Sequence, residues 1–330
     1  MEFKKHNLIN RAIDMKDYEL HNLEYKDDKI KVINKNEKGY LESPVFTTNK
    51  FPKLTGSWCA LTTNNSHVEL MIRVMYNGKM SKYFTYGSWT LGGENLYYNQ
   101  DDEFAYMEVD EIIMKDQNLG DGFQYKVVLE KDAELSLVCV ALKLLNYTYD
   151  VDVKCLPSIV DYDVPKLNQN MVPVIGHEMC SATTTAMLLK FKGMSFSDKD
   201  PEFEHRYVAS LVADEGHKAP TFGNWVYNTA VMGAFGYNGY VARFYSWNEL
   251  KRHLAKVGPV GASIAGDTGL YKTGGHLIVV RGYREEDGKT YVICNDPNIN
   301  SRFKEGLFVY YEFELEVFMN FWRGVAYVIE

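Results

Sequence analysis

The chain has 330 residues, of which 46% are hydrophobic and 24% charged, a composition ordinary for a soluble globular protein with a large core. Its formal net charge of −8 argues against nucleic acid or an anionic membrane as the main partner. At this length two domains are favoured over one. The N-terminus lacks the apolar segment of a secretory signal, and no later segment is apolar enough to span a membrane. We therefore expect a cytoplasmic protein, or an extracellular one whose leader has been removed.

Alternating apolar and polar residues dominate the chain from about residue 40 to 150. Residues 68–76, VELMIRVMY, alternate and are followed by Asn77-Gly78, a strong signal for a β-hairpin. Further strands are predicted at 104–114, 124–131 and 135–145. Strands at this spacing, with little helical periodicity, predict an antiparallel β-sandwich. We place this accessory domain at residues 1–155.

The pattern changes after residue 155, where a proline-punctuated segment leads into helical stretches. Helices are predicted at about 181–192, 202–214, 225–235 and 247–257, the last two after the N-cap residues Asn224 and Ser246. Strands are then predicted at 260–266, 276–283, 290–296, 307–313 and 324–330. Helices followed by a sheet indicate an α+β domain over residues 156–330.

One cysteine, Cys180, stands at the predicted start of a helix, in the sequence GHEMCSATTTAML. The N–H groups at a helix N-terminus stabilise a thiolate, so this position suits a nucleophile. A lone cysteine near a helix start is more often inert, and Cys180 therefore needs partners before it is given a role. The other cysteines, at positions 59, 139, 155 and 294, show no paired spacing and are expected to be reduced and structural.

A predicted hairpin brings a histidine and an aspartate together. Its strands HLIVVRGY and TYVICND flank a tip near Asp287-Gly288, which places His276 opposite or nearly opposite Asp296. A carboxylate beside an imidazole can hold the tautomer that a general base requires. Each residue alone has an ordinary structural explanation, since Asn-Asp before proline is usually turn chemistry. The order Cys, His, Asp together with the cross-strand register favours nucleophilic catalysis.

These motifs resemble a known family. Cys180 at a helix start, GGHLIVVRGY and VICNDP are similar to segments of the double-glycine-leader, or bacteriocin-processing, peptidases and their standalone bacterial relatives, which have a papain-like fold. The resemblance covers about residues 164–330. It implies that Cys180 is the nucleophile, His276 the general base and Asp296 the orienting acid. A β-rich region before the peptidase domain also resembles the arrangement in the standalone relatives.

The resemblance implies further roles outside the triad. LNQNMVPVIGHEMC looks like the segment that holds the oxyanion glutamine, which makes Gln169 the implied oxyanion donor. GNWVYNTA is similar to a stretch on the substrate side, so Trp225 and Tyr227 are implied to bind substrate, although packing of a helix face explains them equally well. Two departures stand out. Ser-Ala replaces the usual Gly-Pro after Cys180, and Gln169 lies eleven residues before the cysteine, farther than in the leader peptidases.

The sequence as a whole predicts a cysteine hydrolase that cleaves a peptide or other amide bond through an acyl-enzyme. An acyltransferase with the same triad is the first alternative, because the triad does not fix the acceptor. A catalytically silent binding protein is the second. No cofactor or metal is expected: residues 177–180 have no familiar metal-ligand spacing, and residues 99–103 are more simply a solvated loop than a calcium site.

Overall fold

The computed structural model describes residues 1–93, 95, 98–216, 220–298 and 309–330, and these form two compact units. The first unit contains Met1–Tyr147, Ala213–Pro220 and Asn224–Arg243. The second contains Thr148–Val212, Thr221–Gly223 and Phe244–Glu330. The region predicted as the second domain therefore contributes two segments to the first unit.

Strands make up most of the regular structure. In chain order they are β1 (Glu2–Phe3), β2 (Asn7–Arg11), β3 (Glu19–His21), β4 (Leu23–Lys26), β5 (Lys29–Val32), β6 (Gly39–Glu42), β7 (Phe46–Phe51), β8 (Lys53–Leu61), β9 (Val68–Tyr76), β10 (Lys79–Met80), β11 (Phe84–Trp89), β12 (Gln100–Asp101), β13 (Ala105–Glu108), β14 (Glu111–Met114), β15 (Gly120–Leu129), β16 (Glu134–Lys143), β17 (Ile159–Asp161), β18 (Gly239–Arg243), β19 (Val260–Asp267), β20 (Lys272–Glu286), β21 (Lys289–Asn295), β22 (Tyr310–Glu314) and β23 (Trp322–Ile329).

Helices are fewer than strands in the part of the chain that the structure describes. They are α1 (Ala12–Met15), α2 (Cys180–Phe191), α3 (Glu204–Val212), α4 (Trp225–Ala234), α5 (Trp247–Lys256) and α6 (Leu315–Phe321), with 3₁₀ turns at Gln169–Met171 and Gly176–Glu178. Within the described ranges, no helix combines the length and apolar character that crossing a membrane requires.

Two sheets build the first unit as a β-sandwich, in which the described strand pairs are antiparallel apart from the parallel pair of β1 and β7. One sheet has the order β1-β7-β15-β6-β3, with β9 beside β15 and with β10 and β11 beside β9. The other has the order β12-β13-β14-β8-β16-β5-β4, with β2 beside β16. Trp58 and Trp89, from the two GSW segments of the sequence, are fully buried and their rings lie 6.4 Å apart. The sandwich core is therefore aromatic as well as aliphatic.

Most of the predicted strands are observed, with one instructive exception. β9 buries alternate residues along Val68–Tyr76, and Asn77 and Gly78 both take the positive φ of a two-residue hairpin turn. Residues 104–114, predicted as one strand, instead form the hairpin of β13 and β14, because Val109 takes a φ of 53° and reverses the chain. A β-branched residue rarely adopts this conformation, so a valine does not signal a turn in the sequence. The apolar pattern on both sides of Val109 therefore resembles one continuous strand.

Helix α4, predicted for the second domain, packs within the first unit against β8. The side chain of Asn224 caps it, as predicted, by accepting from the N–H groups of Val226 and Tyr227. The contact with β8 is close, since a Cβ added at Gly233 would lie 2.8 Å from the Cα of Cys59. A glycine at this point of the helix therefore allows the helix and the sheet to touch backbone to backbone.

The second unit is an antiparallel sheet with helices packed on it. Its strand order is β23-β19-β20-β21-β22, with β17 beside β20. Helix α2 packs on β19 and β20, where a Cβ added at Gly261 would lie 2.7 Å from Cγ2 of Thr184. The predicted α+β class is confirmed. Residues 307 and 308 of the predicted strand 307–313 lie outside the described residues, and the remainder of that prediction overlaps β22.

Candidate active site

Cys180 is the first residue of α2, and the polar residues after it anchor the start of that helix to the sheet. Ser181 Oγ lies 2.6 Å from the hydroxyl of Tyr327 on β23. Thr184 Oγ1 donates to the carbonyl of Leu277 on β20 at 3.1 Å. Ser181 and Thr184 are completely buried. The run of small polar residues therefore fixes the helix start, and with it Cys180, beside β20.

A β-bulge decides which way Asp296 points. The pairing near the hairpin tip, continued without interruption, would place Asp296 opposite Val279, on the face away from His276. A register shift at Arg281 moves the pairing by one residue, which carries Asp296 to the position opposite Ile278. Ile278 is two residues from His276 and shares its face. The histidine and the aspartate are thus diagonal neighbours. This agrees with the prediction that His276 lies nearly opposite Asp296, and not with directly opposite positions.

His276 lies between the Cys180 thiol and the Asp296 carboxylate. Its Nε2 is 2.8 Å from Oδ1 of Asp296, which is completely buried. A carboxylate only accepts, so Nε2 carries a proton and Nδ1 is the nitrogen that remains for the Cys180 thiol, with which His276 is also hydrogen-bonded. His276 is buried and Cys180 is half-buried. The structure thus brings three of the predicted site residues together within the second unit.

Neighbouring charges favour a thiolate beside an imidazolium. Burial alone would raise the pKa of the Cys180 thiol, but the charge and hydrogen bond of His276 lower that pKa below its ordinary value. Backbone N–H groups of Leu277 and Ser181 lower it further. Burial alone would lower the pKa of His276, whereas the charges of Asp296 and Cys180 outweigh it and raise that pKa to about 10. An ion pair of this kind supplies a nucleophile and a proton donor at the same place.

Asp296 has two more partners that the sequence analysis missed. Its Oδ2 accepts from the hydroxyl of Tyr271 at 2.5 Å, and its Oδ1 also accepts from the N–H of Asn298 at 2.8 Å. Tyr271 precedes β20 and carries no periodic or motif signal. The contact of Asn298 is an Asx turn, which the sequence Asn-Asp-Pro-Asn does signal.

Gln169 is buried in a turn that is attached to the segment after Asp296. Its backbone N–H donates to the carbonyl of Pro297 at 2.9 Å. Its Nε2 donates to the carbonyl of Gly176 at 2.8 Å, while its Oε1 is buried without a partner. A Cβ added at Gly176 would lie 2.3 Å from the Gln169 carbonyl oxygen, so the glycine permits this close approach. The amide is thereby held toward the segment that leads into Cys180, and it has a second N–H beyond the one given to Gly176.

The structure places Trp225 and Tyr227 in the first unit. Tyr227 is almost completely buried, and its hydroxyl donates to the carbonyl of Tyr86 at 3.0 Å. The backbone N–H of Trp225 donates to the carboxylate of Asp110 at 2.7 Å. These contacts hold both residues within the sandwich unit, and their role in substrate binding stays a prediction.

The four other cysteines and the residues considered as metal ligands lie in different surroundings. Cys59, Cys139 and Cys294 are buried as expected, and burial raises the pKa of Cys294. Cys155 is exposed, so the expectation that it is structural is not supported by packing. In the part of the chain that the structure describes, no three His, Cys, Asp or Glu side chains are grouped to hold a metal ion. Residues 99–103, predicted as a solvated loop, include the short strand β12, in which Asp101 pairs with Lys115 at 2.6 Å.

An α+β unit with a cysteine at a helix start and a His–Asp pair from the adjoining sheet is typical of enzymes with a nucleophilic cysteine, of which the cysteine peptidases are one class. Family models agree with this class and make it specific. The model of the Peptidase_C39 like family matches residues 162–328, and the model described as the Peptidase C39 N-terminal domain matches residues 8–143. The chain belongs to the Peptidase C39-like family, and the predicted resemblance is confirmed. A search of curated proteins found no match.

Proposed function

We propose that the protein hydrolyses a peptide or other amide bond with Cys180 as nucleophile, His276 as general base and acid, and Asp296 as the residue that orients the imidazole. The observation that carries the proposal is the continuous hydrogen-bonded series from thiol through imidazole to carboxylate. Membership of a peptidase family supports an amide as the bond that is cleaved.

The reaction follows from the charges at the site. The Cys180 thiolate attacks the carbonyl carbon, and the electron pair of the C=O bond moves to the oxygen. As the C–N bond breaks, the His276 imidazolium gives its Nδ1 proton to the leaving amine, which leaves an acyl-enzyme. Water then attacks the thioester while His276 takes its proton, the C–S bond breaks to release the carboxylic acid, and the Cys180 thiolate beside the His276 imidazolium is restored. Asp296 stays ionised throughout and stabilises the imidazolium.

Gln169 is the proposed donor to the oxygen that becomes negatively charged. Its buried amide lies in a turn attached to Pro297, which follows the acid in the chain, and to Gly176, which precedes the nucleophile. One N–H of Nε2 is used by Gly176, and the other is the proposed donor. The N–H of Cys180, in the first turn of α2 where backbone N–H groups have no helical acceptor, is the proposed second donor.

Limiting iodoacetamide near neutral pH, followed by peptide mapping, tests the nucleophile. Cys180 is expected to be labelled before Cys155, although Cys155 is the more exposed thiol, because the charge and hydrogen bond of His276 lower the pKa of Cys180. Cleavage of a peptide library, read by mass spectrometry, is expected to be lost in Cys180→Ala and retained in the matched variant Cys155→Ala.

Three results would count against the proposal in different ways. Preferential labelling of Cys155 would contradict the lowered pKa of Cys180. Cleavage that persists in Cys180→Ala would remove the nucleophile. An amine-linked product in place of a free acid would leave the site residues in their roles and replace hydrolysis by acyl transfer.

A further inference from the structure

Tyr271 lies beside the site on a loop whose backbone is firmly held. The loop joins β19 to β20, and Thr268 in it is nearly fully buried. The N–H and the hydroxyl of Thr268 donate to the carbonyl of Tyr271 at 3.0 and 2.9 Å. The N–H of Tyr271 donates back to the Thr268 hydroxyl at 3.1 Å. The backbone of Tyr271 is therefore held by hydrogen bonds within the loop, independently of the contacts of its side chain.

The side chain of Tyr271 completes the surroundings of the Asp296 carboxylate. Oδ1 of Asp296 is shared by His276 and Asn298, and Oδ2 is taken by the tyrosine hydroxyl at 2.5 Å. With both oxygens engaged, the carboxylate cannot rotate without breaking hydrogen bonds to a buried charge. Burial and the charge of Asp296 raise the pKa of Tyr271, so the hydroxyl keeps the proton that it donates.

The ring of Tyr271 also contacts the imidazole. The centroids of the Tyr271 and His276 rings are 5.8 Å apart and the ring planes are inclined by 82°, an edge-to-face arrangement. One residue therefore constrains both the carboxylate that orients the base and the plane of the base itself. We propose that Tyr271 is a positioning residue, which holds Asp296 through its hydroxyl and His276 through its ring. The inference rests on the proposed function, because it assigns Tyr271 a part in the same reaction.

Asn298 extends this role toward the Gln169 turn. Its side chain is hydrogen-bonded to the Tyr271 hydroxyl while its N–H serves Asp296. Nδ2 of Asn170, the neighbour of Gln169, donates to the carbonyl of Asn298 at 3.1 Å. The hydroxyl of Tyr271 thus contacts both Asp296 and Asn298, the residue that is hydrogen-bonded to the turn containing Gln169. Loss of the hydroxyl is expected to disturb turnover rather than substrate affinity.

Tyr271→Phe tests the hydroxyl alone, since it keeps the ring and its packing. Tyr310→Phe is the matched control, because the Tyr310 hydroxyl also donates to a carboxylate, that of Glu312, outside the site. Losing a hydrogen bond to a charged group is expected to lower kcat roughly 10- to 100-fold with KM within about threefold. Tyr310→Phe is expected to keep the wild-type kcat, and a melting temperature near that of wild type verifies that each variant is folded.

A double-variant cycle separates positioning from a general structural effect. If the hydroxyl acts through Asp296, adding Tyr271→Phe to Asp296→Asn is expected to cost less than about threefold in kcat, far less than it costs alone. Equal losses in the two backgrounds would overturn the proposal, because the hydroxyl would then act independently of the carboxylate.

Alkylation of Cys180 by iodoacetamide tests the role of Tyr271 without any peptide substrate. In Tyr271→Phe the midpoint of the pH dependence of the alkylation rate is expected to move to higher pH, because a less firmly held imidazolium stabilises the thiolate less. If the wild-type protein cleaves no peptide but the midpoint moves in Tyr271→Phe, the proposed hydrolysis is refuted. The positioning role of Tyr271 is supported by the same result. A midpoint that matches those of wild type and Tyr310→Phe, whether or not peptides are cleaved, overturns the role of Tyr271.

Discussion

Replacing Asp296 by asparagine removes one negative charge from a buried site while keeping the size of the side chain. The asparagine Oδ1 can still accept from Nε2 of His276, so the imidazole keeps its hydrogen-bond partner and loses the neighbouring charge. The asparagine Nδ2 can only donate, so the Tyr271 hydroxyl also loses its acceptor. In the wild-type protein burial acts to lower the pKa of His276, and the charge of Asp296 is the largest of the effects that raise it to about 10. Removing an opposite charge at this separation typically changes a pKa by about 1–3 units, or roughly 1–4 kcal/mol.

The expected result is a narrower pH range of activity. In wild type the alkaline limit of kcat is expected near pH 10, where the imidazolium loses its proton. In Asp296→Asn this limit is expected to move down by about 1–3 pH units. The acid limit is expected to move up, because a less stable imidazolium lowers the pKa of Cys180 less. The two limits therefore approach each other.

The assay follows kcat for a cleaved peptide from acid to strongly alkaline pH, with alkylation of Cys180 measured in parallel. Asp161→Asn is the matched control, since Asp161 is an ion-paired carboxylate of the same unit, 2.7 Å from Nε of Arg281. The reasoning would be refuted by a folded Asp296→Asn protein whose alkaline limit stays near that of wild type. The source of the raised pKa of His276 would then lie elsewhere.

Two other predictions concern the oxyanion donor and the independence of the units. Gln169→Ala is expected to lower kcat about 10²–10³-fold. The alkylation rate of Cys180 is expected to be nearly unchanged, because alkylation builds no oxyanion. A fall in both the melting temperature and the alkylation rate would show that Gln169 only anchors its turn. A fragment of residues 156–330 is expected to aggregate, because α4 (Trp225–Ala234) would be separated from β8, and gel filtration checks this. A monomeric fragment with the wild-type alkylation rate would contradict that expectation.

The sequence was most informative where a local pattern determines the structure. The helix that begins at Cys180 and the N-caps at Asn224 and Ser246 were predicted from helix-start chemistry, and the structure has them. The hairpin between β20 and β21 was predicted from its turn residues. Its exact register was not, because the shift at Arg281 leaves no mark in the apolar pattern.

Contacts between distant segments could not be predicted from local sequence patterns. Tyr271 meets Asp296 across 25 positions of the chain through a single hydroxyl, which no periodicity encodes. The packing of α4 on β8 depends on Gly233 meeting Cys59, and a glycine in a helix offers no indication of its partner. The reversal at Val109 was missed for the opposite reason, since its residue type argues against the conformation that it takes.

The two segments that return to the first unit, Ala213–Pro220 and Asn224–Arg243, bear on how such proteins can recombine. The family models divide the sequence into an N-terminal match that ends at residue 143 and a peptidase match that begins at residue 162. A gene exchange at that junction would transfer the sandwich without α4 and β18, and the recipient would have to supply a helix that fits the new β8. The sandwich and the two segments Ala213–Pro220 and Asn224–Arg243 are therefore expected to be inherited together.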